Sequence, residues 1–202
     1  MTKQLNLWLA FIMAAFLAAC ATAPASMGPA FETAMVEARS NSNPYAADDT
    51  LSGLLENTNL SEDQRARALY ARGSLRRQAG DDRRGAVEDF DAMLKLAPEH
   101  ALAPNAREEL AFAQTDVETI EVGLSRPLNL SQWFNSMWVL GEHAEAAGRY
   151  RTSGLSPNEA ELAKLVAAGF VCEDRNGAAP VYTMGDMRPD LENKHWCGAP
   201  GV

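Results

Sequence analysis

The chain has 202 residues, 47% of them hydrophobic, with 27 acids against 18 basic residues and a formal net charge of −9. That length suits one compact domain or two small ones. The acidic balance makes nucleic acid a poor partner.

The chain opens M-T-K-Q-L-N, a short segment carrying Lys3, followed by an apolar run from Leu7 to Leu17. The run is too short for an ordinary membrane span, which takes roughly 20 residues. A charged start, an apolar stretch and small residues before a cleavage point make a secretory signal over residues 1–19. Leu17-Ala18-Ala19-Cys20 resembles the bacterial lipobox. The resemblance implies cleavage before Cys20, a diacylglycerol on its thiol and usually an amide-linked third acyl chain. One acyl chain anchors weakly, whereas several anchor stably. Ala21, where aspartate would mark inner-membrane retention, favours the periplasmic face of the outer membrane. An ordinary signal peptide followed by a chance cysteine is the alternative. Residues 20–30 are rich in Ala, Pro and Ser and read as a tether.

From Phe31 to Ser40, Phe31, Ala34, Met35 and Ala38 recur at helical spacing. Asn41-Ser42-Asn43-Pro44 breaks that helix. A second helix is expected over Asp48–Glu56, capped by Asp48 or Asp49 and burying Leu51, Leu54 and Leu55.

The stretch Ser61–His100 carries the strongest pattern. Ser61 and Gln64 have capping-box spacing, and Ala66, Leu69 and Gly73 share a face. Gly80-Asp81 reads as a turn. Ala86, Phe90, Met93 and Leu94 share the inner face of a second helix, which Pro98 ends. These residues resemble a tetratricopeptide (TPR) repeat, a helix-turn-helix of about 34 residues with a late A-x3-F and a closing proline. Leu69-Tyr70 match its first large residues, Gly73 its small residue, Ala86 and Phe90 the A-x3-F, and Pro98 its end. The chain departs by one extra residue between Gly80 and Ala86, and by Arg76 where an aromatic is usual. One such unit cannot bury its own faces and needs neighbours. The flanking helices, with a further one over Ala103–Ala113, fit that need, so residues 31–114 are expected to form one helical array.

Thr115–Pro127 has no clear helical period and is expected as a strand or loop marking a boundary. A C-terminal module over 128–202 begins with a helix capped by Ser131 and running to Ala147, ended by Gly148. Its Trp133, Met137, Leu140, Gly141 and Ala144 share a face beside Phe134 and Trp138, a cluster that suits a core or an apolar groove. Ser156-Pro157-Asn158-Glu159 starts another helix, with Ser156 as its cap and Pro157 in the first helical position, running to Ala168. Phe170-Val171-Cys172 reads as a strand, with Val181-Tyr182-Thr183 returning across the Asn176-Gly177 turn. Helix, helix and hairpin resemble a winged helix in topology. Met184–Val202 reads as irregular. The fold class expected is mostly α, a TPR-like hairpin array with a small α+β C-terminal module.

With Cys20 lipidated, Cys172 and Cys197 form an even pair in an oxidising compartment and are expected as a disulfide. A metal site from Cys172, His195 and Cys197 is the rival, but local metal-ligand spacings are missing. The histidines are scattered and no nucleophile, phosphate-loop or zinc-protease motif occurs. No catalytic residue, cofactor or metal is expected.

Seven of the fourteen arginines lie between Arg65 and Arg84. Arg67, Tyr70, Ser74 and Arg77 step by three, four and three onto one stripe of the first repeat helix. The resemblance to TPR arrays implies that this stripe faces the concave, ligand-binding surface. Guanidinium groups there would pair with carboxylate or phosphate. A solvated face neutralised by nearby acids is the plainer alternative. The expected function is a lipid-anchored, non-catalytic adaptor of the bacterial envelope, binding a protein or peptide, or an anionic envelope component. A structural envelope lipoprotein without a discrete ligand and a hydrolase in the C-terminal module are the other readings.

Overall fold

The computed structural model describes residues 28–173 and 194–197. Five helices make the array: α1 (Gly28–Ser40), α2 (Pro44–Leu55), α3 (Glu62–Gln78), α4 (Arg83–Leu96) and α5 (Ala103–Leu124). Each packs on the next, and α3 also touches α5. Alternate helices therefore fall into two layers, with α1, α3 and α5 in one and α2 and α4 in the other. The mostly helical class and the hairpin packing are as the sequence suggests.

The α3–α4 helical hairpin forms at the residues that predicted it. Ser61 Oγ accepts from the Gln64 backbone N–H, while the Gln64 side chain accepts from the Ser61 N–H. Ala86, Phe90 and Met93 are wholly buried. Gly73 is where α3 meets Phe90, since a Cβ there would stand 3.0 Å from the ring. Phe31, Met35, Leu51 and Ala68 fill a second core between α1, α2 and α3.

Five local expectations are corrected. Helix α2 starts earlier than Asp48, because Asn43 accepts from the Tyr45 N–H and Pro44 takes the first helical position, where its missing N–H costs nothing. Thr115–Leu124 is neither strand nor loop but the second half of α5. Its Val117, Ile120 and Leu124 step by three and four and are only half-buried, which weakens the periodic signal. The expected helix over 131–147 is two helices, α6 (Leu130–Val139) and α7 (His143–Ser153). The break falls at Gly141, whose φ is +94°, a left-handed conformation that glycine adopts without penalty. Asn129 rather than Ser131 caps α6. Asn158 rather than Ser156 caps α8 (Glu159–Ala167).

In the C-terminal module, β1 (Val171–Glu173) pairs antiparallel with β2 (Lys194–Trp196), with Cys172 opposite His195. The strand partner thus comes from the stretch expected to be irregular, and the expected return strand at Val181–Thr183 lies outside the described residues. The aromatic face of α6 is rotated from the one expected. Phe134, Trp138 and Leu140 are buried, while Trp133 and Met137 pack at the margin.

The module folds back onto the array. Trp138 Nε1–H donates to the Tyr45 hydroxyl at 2.7 Å, and Tyr45 packs against the core that Trp138, Tyr150 and Leu165 make. His143 Nε2–H donates to the Asp81 carbonyl at 2.9 Å, and Lys164 pairs with the Asp81 carboxylate at 3.0 Å. Asp82 bridges to Leu140. The contacts all reach the start of α2 and the α3–α4 turn.

Candidate functional site

The arginines of α3 divide between its two sides. Arg72 and Arg76 point inward to Asp89 of α4, a carboxylate only 3% exposed. Arg72 grips it with two bonds of 3.0 and 2.6 Å and donates to the Ser52 hydroxyl of α2 at 2.9 Å. Arg76 donates to Asp48 of α2 at 2.6 and 3.0 Å and to Asp89 at 3.3 Å. Burial raises the Asp89 carboxyl above its ordinary value against the pull of Arg72 and Arg76. Burial also acts against the Arg76 charge, but Asp48, Asp89 and Asp82 outweigh it and raise that pKa. Arg76 thus fastens three helices by ion pairing.

The stripe Arg67, Tyr70, Ser74 and Arg77 occupies another side, between α1 and α5. Arg67 makes paired bonds of 2.8 and 3.1 Å to Glu32 of α1 and lies 5.0 Å from the Phe31 ring. Arg77 bonds Glu109 of α5 and lies 5.9 Å from the Phe112 ring. Tyr70 is half-buried, its ring 5.8 Å from Phe90, and Ser74 is half-buried between the two arginines. Both guanidinium groups are therefore held by acids of the chain itself. The sequence places the four residues on one stripe, but not the acids that meet them.

The Arg67–Glu32 pair is open to exchange, whereas Arg77 and Glu109 keep only 23% and 21% of their side-chain surface. Glu32 keeps 56% of its side-chain surface and Arg67 30%. Pairs this exposed are worth about 0–1 kcal/mol. Beside Arg77, Phe112 is a large apolar side chain left 52% exposed.

The module holds a feature that the site analysis of the sequence missed. Glu161 of α8 is 1% exposed. It accepts from the Ser131 and Tyr150 hydroxyls, from Asn135 Nδ2 at 3.2 Å and from the Asn158 N–H at 2.9 Å. Burial works against its charge, but these bonds outweigh it and hold its pKa below the usual value. The Asn158-x-x-Glu161 capping-box spacing was the available signal.

Cys172 and Cys197 lie with their sulfurs at disulfide distance and their Cα atoms 5.2 Å apart, inside the usual range of about 4.4–6.8 Å. Cys20 lies outside the described residues. Among the described residues no three His, Cys, Asp or Glu side chains converge in a metal-binding arrangement, and no helix is long and apolar enough to cross a membrane. His100 lies 3.1 Å from Asp63, away from His143 at the module contact. Comparison of the chain with protein families, with curated proteins and with solved structures found no match.

Proposed function

We propose that the chain is a non-catalytic interaction scaffold of the bacterial cell envelope, lipid-anchored at Cys20. It binds a protein partner across the layer formed by α1, α3 and α5. The observation that carries this reading is the half-exposed Phe112 beside Arg77, in line with an Arg67–Glu32 pair exposed enough to exchange. A partner offering an apolar side chain to Phe112 and a carboxylate to Arg67 would replace Glu32 without breaking the core. The lipobox-like Leu17-Ala18-Ala19-Cys20 supports the anchor, and the N-terminal side of α1 is the tethered end.

Photo-crosslinking in the native bacterium tests the reading. A photoreactive residue at Ser74 or at Phe112 is expected to give an adduct of discrete mass, while one at Glu56, exposed at the end of α2, gives none. Mass spectrometry of membrane-purified protein is expected to show lipidated Cys20 at the N-terminus. Adducts at no position would leave the structural reading, which the internal pairing of Arg67 and Arg77 favours. In that case the Arg67→Ala/Arg77→Ala double variant loses thermal stability and nothing else.

A further inference from the structure

A groove of about 310 Å³ runs between the first turns of α4 and the distal half of α5, away from the arginine stripe. Val87 and Val117 form its floor, and Glu88 and Glu118 stand on its two walls, one on each helix. Arg84 lines one end and is already held by Glu121 and Glu142. Glu88 and Glu118 are exposed and make no ion pair with the described residues. Val122, one turn beyond Glu118, is 55% exposed, and a Cβ at Gly123 would meet nothing within 4 Å. The groove is thus apolar where Val87 and Val117 line it, with an exposed acid from each helix beside them.

The shape of an occupant follows from the array. Every earlier helix of it lies against its successor in sequence. Distal α5 instead has its successor α6 turned away into the module, with only slight contact between them. From Gln114 to Glu121 the groove lines two turns of α5, about 10 Å, which matches apolar anchors at i, i+3 or i+4, and i+7 of a docked helix. We infer that this groove takes an amphipathic helix of a partner protein whose apolar stripe is flanked by lysine or arginine. Its apolar anchors cover Val87 and Val117, and its flanking cations meet Glu88 and Glu118. This rests on the chain being an interaction scaffold, but not on the α1, α3 and α5 face.

The test uses the full chain and two synthetic helical peptides of about 18 residues. Both carry leucine at the anchor positions, one flanked by lysine and the other by glutamate, with a photo-crosslinker beside the stripe. Fluorescence anisotropy is expected to show the lysine-flanked peptide binding at least tenfold tighter. Glu88→Lys/Glu118→Lys should reverse that order. Glu62→Lys/Glu99→Lys makes the same change in net charge at exposed acids far from the groove and should leave it. Crosslinks should fall within residues 84–88 and 114–121. No binding, equal response of the two double variants, or crosslinks at the Arg67–Arg77 stripe would overturn the inference. So would a dimer of the full chain in sedimentation that Glu88→Lys/Glu118→Lys dissociates, since the occupant would then be a second copy. The reading of the α1, α3 and α5 face fails separately, on the absence of adducts from Ser74 and Phe112 in cells.

Discussion

Asp89 is one carboxylate shared by two guanidinium groups, all with little access to water. Its oxygens receive Arg72 and Arg76, whose side chains are 18% and 17% exposed. Removing one partner of a buried pair leaves charge uncompensated, at a cost of about 3–5 kcal/mol. Asp89→Ala is therefore expected to destabilise the protein by that order in urea unfolding, far more than Glu32→Ala, which frees only the exposed Arg67. Glu161 is a buried carboxylate of a different kind, satisfied by neutral donors. Its folded pKa is lowered, so its charge contributes stability above the unfolded glutamate value of about 4.3. That contribution is lost as pH falls through the lowered folded value. Glu161→Gln places an amide N–H₂ among hydroxyl and backbone donors and should cost about 1–3 kcal/mol at neutral pH. Unfolding measured from pH 7 downward is expected to show a constant gap to wild type above about pH 5. The gap should narrow under more acid conditions. A gap that ignores pH would mean that the charge itself contributes nothing.

At the scale of elements, the reading of the sequence succeeds where one face is fully buried and fails where it is not. The α3–α4 hairpin was legible because its cap, Gly73 and Phe90 are all local, and the burial of Phe90 is complete. Distal α5 was not, because its apolar positions are half-covered and its remaining side chains meet solvent. Nor was the pairing of β1 with β2, since the strands lie far apart in sequence. The arginine stripe was legible as a stripe only. Glu32 and Glu109 reach it from 35 residues upstream and 32 downstream, and no local spacing signals them. The break between α6 and α7 hides for another reason: helical spacing continues through Gly141, and only the approach of Asp82 demands the turn. A Cβ on Gly141 would collide with the Asp82 carboxylate, at a φ that side chains rarely adopt. Gly141→Ala should therefore cost about 1–3 kcal/mol, the range for such backbone strain. Asp82→Ala removes the obstacle but also the cap on the Gly85 N–H, worth about 1 kcal/mol. Because both changes act on one contact, the double variant should be more stable than the sum of the two losses. Strict additivity would show that Asp82 and Gly141 do not meet.

Across the whole molecule, the array and the C-terminal module have separate cores but a shared seam. The seam consists of Tyr45 on Trp138, Asp81 with His143 and Lys164, and Asp82 with Leu140. Asn43, the cap of α2, also donates to the Ala167 carbonyl of α8 at 3.0 Å. Polar groups on either side of this seam are satisfied only when both halves are folded, so the two are expected to unfold together. The chain carries natural reporters for this. Of the four tryptophans, Trp133, Trp138 and Trp196 belong to the module and Trp8 lies in the segment that the proposed cleavage before Cys20 removes from the processed chain, whereas α1 to α5 hold most of the described helical residues. Indole fluorescence thus follows the module and far-ultraviolet circular dichroism chiefly the array. In urea the two signals are expected to give coincident transitions. The Cys172–Cys197 link closes a loop with a sequence separation of 25, for which loop entropy gives about 3–4 kcal/mol. That stabilisation is confined by position to the module. If the seam couples the halves, reduction lowers the midpoint of the helical signal as much as that of the fluorescence. Tyr45→Phe, which strips the acceptor from the Trp138 N–H, should cost about 1–3 kcal/mol and then let the two transitions separate on reduction. Fluorescence falling early in the reduced wild type, with the helical midpoint unmoved, would make the seam a contact without energetic weight.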